Sequence, residues 1–83
     1  MTQQGATDLI VRMIAIELET TEDQVRTAGS LRNDLGMDSI AAANVLFSLE
    51  QELGVELDLD EVEGLDSVVD IAGLVVHSQV LEA

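Results

Sequence analysis

Ser39 is the nucleophile whose position in this sequence invites chemistry. It follows the turn-forming stretch Asn33-Asp34-Leu35-Gly36-Met37-Asp38 and opens an apolar helical segment. A serine at such a place serves as a helix N-cap. The same place suits a serine that becomes a phosphodiester, because free N–H groups and the dipole at a helix start favour negative charge. The turn would hold the hydroxyl out for an incoming enzyme. The residues alone leave both readings open. Hydrolysis through Ser39 would need a base and a group to orient it. The sole histidine, His77, stands close to the C-terminus, and no G-x-S-x-G elbow accompanies it. His77 reads as a surface residue, and a Ser39/His77 hydrolase ranks far behind the other functions.

The acids Glu56, Asp58, Asp60, Glu61, Glu63 and Asp66 suggest a calcium loop. Counted from Asp58, the fifth position is Val62 and the sixth is Glu63, where an EF-hand requires glycine. The cluster reads as a solvated acidic face, and no metal site is expected.

Composition narrows the function further. The chain has 83 residues, 17 acids, 3 basic residues (all arginine) and a formal net charge of −14. Such a charge repels nucleic-acid backbones and anionic membranes. At 47% hydrophobic residues the chain is no disordered acidic tail. Cysteine is absent, which excludes disulfides, thiolate metal sites and a thiol nucleophile. No apolar run approaches the ~20 residues of a membrane span, and the N-terminus lacks the basic start of a signal peptide. The expectation is a cytoplasmic monomer of one domain, residues 1–83. A chain of this size buries only about 60–65% of its unfolded surface. With Phe47 as its single aromatic residue, its core must be aliphatic.

Those residues must be positioned by helices. Leu9, Ile10, Met13, Ile14, Glu17 and Leu18 give residues 8–18 a helical period, with a cap at or before Thr7. Thr21 and Gln24 form a capping box for one short turn. Ala28-Gly29-Ser30 reads as loop. Asp38 or Ser39 caps a second long helix that runs to about Leu53 and stops at Gly54. Residues 55–66 alternate weakly, but a lone strand would have no partner; a loop with a helical turn around Asp60–Glu63 is expected. Ser67 and Asp70 open a last helix to about Gln79, with Gly73 inside it. The expected fold is all-α, a small four-helix bundle with three long helices and one short helix.

On the second long helix, Ala42, Val45, Leu46, Leu49 and Leu53 form the core stripe. Ile40, Ala43 and Phe47 cluster near the opposite side, flanked by Asn44 and Gln51. A helix on a small core does not need a second apolar stripe, so Ile40, Ala43 and Phe47 read as a partner-contact face. Arg12, Arg26 and Arg32 all precede Asn33, after which no basic residue but His77 occurs. The uncompensated negative half would steer a basic partner.

Asp34-Leu35-Gly36-Met37-Asp38-Ser39-Ile40 resembles the D-L-G-x-D-S-[LI] signature of acyl carrier proteins. The likeness extends over most of the chain, through the spacing from Leu18, Val25 and Ser30-Leu31 to the signature, and on to Leu49-Glu50 and Ser67-Val68. The resemblance implies that Ser39 bears a 4′-phosphopantetheine arm transferred from coenzyme A, with Asp38 at the helix start recognised by the phosphopantetheinyl transferase. It implies a carrier of thioesters rather than an enzyme, with Ile40, Ala43, Phe47 and Glu50 meeting partners. Those partners would be an acyltransferase, a ketosynthase or an acyl-activating ligase with a basic docking surface. Fatty-acid carriers typically have acids two and five positions after the serine; here those are Ala41 and Asn44. That departure, with Ile40 where leucine is commoner, points to polyketide or specialised fatty-acid synthesis. The alternatives are an aminoacyl or peptidyl carrier of a nonribosomal-type pathway, and a non-covalent acidic helical module using the Ile40/Phe47 face. A starting methionine and an end soon after the last helix give the expectation of a free-standing protein.

Overall fold

The computed structural model describes residues 2–54, 56–58, 60–61 and 64–82. Helix α1 spans Gln3–Leu18. It starts earlier than the apolar period suggests, because Thr2 Oγ1 accepts the Gly5 N–H at 3.0 Å and the fully buried Ala6 extends the core stripe upstream. Helix α2, Glu22–Thr27, is the expected short turn; Thr21 Oγ1 accepts the Gln24 N–H at 3.2 Å. Arg26 ties α2 to α1 through Asp8 at 2.9 Å. That hydrogen bond, reinforced by the Gln4 amide, holds the Asp8 carboxyl below its ordinary pKa.

Helix α3, Leu31–Leu35, is an addition to the expected plan, in which Asn33–Asp38 is the turn before Ser39. A single helical turn has no period to read. It forms because Ser30 Oγ accepts the Asn33 N–H at 3.1 Å, and it stops at Gly36, whose φ of 70° favours glycine. The Gly36 and Met37 N–H groups return to the carbonyls of Arg32 (3.1 Å) and Leu31 (3.0 Å). Helix α4 spans Ser39–Leu53, capped by Asp38 and closed by Gly54 at φ 67°. Helix α5, Val68–Glu82, opens where Ser67 Oγ accepts the Asp70 N–H at 3.2 Å and runs past Gln79. Asp60 and Glu61 are helical; Val62 and Glu63, the rest of the expected turn, lie outside the described residues. The three long helices are those expected. Two short helices among the described residues replace the single one, and no strand occurs among them.

Helix α1 packs against α5, α4 and α2. Ile10, Val11 and Ile14 of α1 meet a fully buried set from the other helices: Val25, Leu49, Ile71 and Val75. Each such side chain contributes about 1.5–3 kcal/mol. Among the described residues no polar or charged side chain is buried. The core is aliphatic, and Phe47 stays 61% exposed.

One loop residue fastens the region before α4. The Asp66 carboxylate accepts the Ser30 hydroxyl proton and, at 3.0 Å, the Arg32 N–H. The Asp66 carbonyl accepts the Leu31 N–H at 2.9 Å. The loop before α5 is thereby locked to the first turn of α3. The Ser30 hydrogen bond, then the Arg32 N–H, hold the Asp66 carboxyl below its ordinary pKa.

Two outcomes follow. A Cβ at Gly73, inside α5, would meet nothing within 4 Å, so Gly73→Ala should stabilise the fold by about 0.5–1 kcal/mol, visible as a higher thermal midpoint. Because the folded-state pKa of Asp66 is lowered, its charge-dependent stabilisation is complete above the unfolded value near ~3.9. It is lost as pH falls through the lowered folded value. Asp66→Ala should therefore lower the urea midpoint at neutral pH, and its deficit against the unaltered chain should narrow as the pH drops below that range. A deficit independent of pH would contradict this assignment.

Candidate functional site

The site begins with the division of labour between Asp38 and Ser39. Asp38, in extended conformation, is the N-cap of α4; its Oδ1 accepts the Ala41 N–H at 2.8 Å, and its carbonyl accepts the Ala42 N–H at 2.9 Å. Ser39 is the first helical residue and is exposed. Its hydroxyl has no hydrogen-bond partner among the described residues. The N-cap alternative for Ser39 is thus removed, since Asp38 already performs it.

The other serines make the contrast plain. Ser30 and Ser67 also stand at helix starts, but both hydroxyls are engaged as caps, Ser30 in addition by Asp66. Ser48 lies within α4, away from either terminus. Ser39 joins an exposed, unengaged hydroxyl to the electropositive end of a 15-residue helix. A phosphodiester there would gain from the dipole and needs no room inside the fold, so the residues present fit a phosphate-linked arm.

Ser39 and Asp38 also line a crevice of about 20 Å³ with Leu31, Met37, Ala42 and Leu65. That is space for one water molecule. This crevice is too small to take a phosphate-linked arm.

The exposed side of α4 carries the second apolar stripe. Ile40 is 73% exposed and Phe47 61%, with Ala43 half-buried between them. At about 100° per residue, this stripe lies between Ser39 on one edge and Asn44 on the other. Ala41, Ala42, Val45, Leu46 and Leu49 are buried on the opposite side. Ala41, two positions after Ser39, therefore belongs to the core and leaves no place for a solvated acid.

Glu50 is half-buried, and its Oε2 accepts the Leu57 N–H at 2.9 Å. That carboxylate anchors the chain beyond α4 as well as standing at the far end of the stripe. His77 is exposed on α5 and makes no hydrogen bond to Ser39. Two residues that matter here had no signal in the sequence. Asp66 is one acid among many in a loop, and in the sequence Glu17 shows only as part of the period of α1. Glu17 Oε2 accepts a hydrogen bond from Asn44 Nδ2 at 3.0 Å, which brings an α1 carboxylate to the edge of the α4 stripe.

Comparison with known proteins meets this geometry. Residues 8–75 match the family model described as a phosphopantetheine attachment site. An acyl carrier protein of Treponema denticola is 33% identical over 61 residues, 74% of this chain and 78% of that protein. One of Clostridium perfringens is 31% identical over 64 residues, 77% of this chain and 84% of that protein. Acyl carrier protein 3 of Ralstonia nicotianae is 30% identical over 71 residues, 86% of this chain and 82% of that protein.

The capping geometry makes neighbouring substitutions behave differently. Asp38→Ala should lower stability by about 1 kcal/mol through loss of the cap. Ser39→Ala removes no hydrogen bond and should stay within about 0.5 kcal/mol of the unaltered chain. Urea unfolding of the two variants checks the contrast.

Proposed function

This chain belongs to the acyl carrier protein family, and from that premise we propose that Ser39 is the residue that bears its covalent 4′-phosphopantetheine. Members of this family are carriers rather than catalysts, and that holds for this chain. The observation that carries the assignment is the exposed, unengaged Ser39 hydroxyl beside an Asp38 that supplies the cap.

In the loading step, Ser39 Oγ attacks the pantetheine-side phosphorus of coenzyme A. The Oγ–P bond forms and the pyrophosphate P–O bond breaks, releasing adenosine 3′,5′-bisphosphate. The transferase accepts the Ser39 proton. Asp38 keeps the first turn of α4 closed while this happens, so the nucleophile is presented from a fixed helix end. The bound group supplies a thiol that holds acyl cargo as a thioester, a function this cysteine-free chain cannot provide with its own residues.

The proposed pathway is polyketide or specialised fatty-acid synthesis, with an acyltransferase, a ketosynthase or an acyl-activating ligase as partner. Support comes from α4 itself. Its exposed stripe is Ile40, Ala43 and Phe47, with no acid at positions 41 or 44. A partner would meet it by apolar contact at the centre and by charge at the rim. Glu50 contributes at the far end of this face.

Incubation with coenzyme A and a broad-specificity phosphopantetheinyl transferase should raise the intact mass by one phosphopantetheine, and Ser39→Ala should abolish the gain. Phe47→Ala should load and remain folded, yet accept acyl groups from a partner ligase more slowly. A folded chain that takes no arm while a control carrier loads in parallel would overturn the assignment.

A further inference from the structure

We propose that Glu17 of α1, aimed across α4 by Asn44, is an anionic docking contact for the phosphopantetheinyl transferase that loads Ser39. This inference rests on the Ser39 reading and extends it to a residue outside α4.

The argument starts from position. Asn44 lies five residues beyond Ser39, about 7.5 Å along a helix rising 1.5 Å per residue. An enzyme whose active site closes on the Ser39 hydroxyl must cover this part of α4. Asn44 and Glu17 are both exposed. The Asn44 amide donates to Glu17 Oε2 at 3.0 Å. An amide carries no charge of its own, but this hydrogen bond fixes a neighbouring carboxylate on the edge of the Ile40/Phe47 stripe opposite Ser39. One hydrogen bond leaves most of the acceptor capacity of that carboxylate unused. Among the described residues Glu17 has no ion pair, whereas Asp8, also on α1, is paired with Arg26.

Charge complementarity identifies the occupant. Coenzyme A carries a pyrophosphate and a 3′-phosphate, so the enzyme that delivers its pantetheine half must present cations around its active site. Those cations would approach the side of this chain that holds Ser39. On α4 the acids are confined to Glu50 and Glu52 near the C-terminal end, away from Ser39. Beside the first half of α4, the charge available to an arginine or lysine of the transferase includes Glu17, and Asn44 is the residue that positions it.

The test uses the full apo chain, coenzyme A and a purified broad-specificity transferase, with loading rates followed by intact mass. Glu17→Gln keeps an acceptor for the Asn44 amide and removes only the charge. It should raise KM by roughly threefold at low salt, the scale of one exposed ion pair, with kcat and the thermal midpoint unchanged. The difference should disappear at high salt. Asn44→Ala should raise KM similarly, and the double variant should add little more, since both act through one carboxylate. If the unaltered chain loads and Glu17→Gln loads with the same KM at low salt, this inference is overturned and the Ser39 reading stands. If the unaltered chain takes no arm while a control carrier does, the Ser39 reading fails and this inference with it.

Discussion

The hydrogen bond from the Ala41 N–H to the Asp38 carboxylate is the contact on which the functional end of the molecule depends. A helix start leaves several N–H groups without partners. Some side chain must answer them, and at the starts of α3 and α5 a serine does so. At α4 the preceding aspartate takes that task. Ser39 is then the first residue inside the helix instead of the residue closing it. Its hydroxyl can be modified without removing a structural bond, and its backbone is held by the regular geometry of α4. A carrier needs both, an attachment point that is rigid in position and chemically free.

The surrounding fold keeps that end in place with little material. The aliphatic core fixes α4 against α1, while Asp66 binds the loop before α5 to the first turn of α3. Gly36 then turns the chain so that Met37 enters the core and Asp38 stands at the helix start. Seventeen acids against three arginines is a net repulsion that the core must outweigh. Arg26 relieves it near Asp8, between α1 and α2. The α4 side keeps its negative charge and its exposed apolar stripe together. That combination resembles an interface before its partner arrives, apolar at the centre and charged at the rim.

The sequence made the three long helices legible because each repeats its apolar residues over several turns and carries a marked end: Gly54 after α4, Ser67 before α5, and the Leu9–Leu18 pattern in α1. The buried and exposed faces of α4 followed from the same period. Helix α3 was not legible, since one turn has no period and its identity rests on Ser30, Gly36 and a distant Asp66. The start of α1 was obscured because Gln3 and Gln4 are polar; its end at Leu18 is where the period stops, although the cap residue Glu19 occupies the left-handed region, φ 54°, in place of the usual glycine. The D-L-G-M-D-S-I stretch points to the proposed site, but it does not say whether Asp38 or Ser39 is the helix cap. That division needed coordinates, as did the Glu17–Asn44 contact between helices 27 positions apart in the chain.

Among the described residues Ser39 alone is a serine that combines a helix start with an unengaged hydroxyl. The most direct measurement is localisation of the arm by fragmentation mass spectrometry of the loaded, unaltered protein. Phosphopantetheine is expected on Ser39, with Ser30, Ser48, Ser67 and Ser78 unmodified. An arm found on any other serine would contradict it.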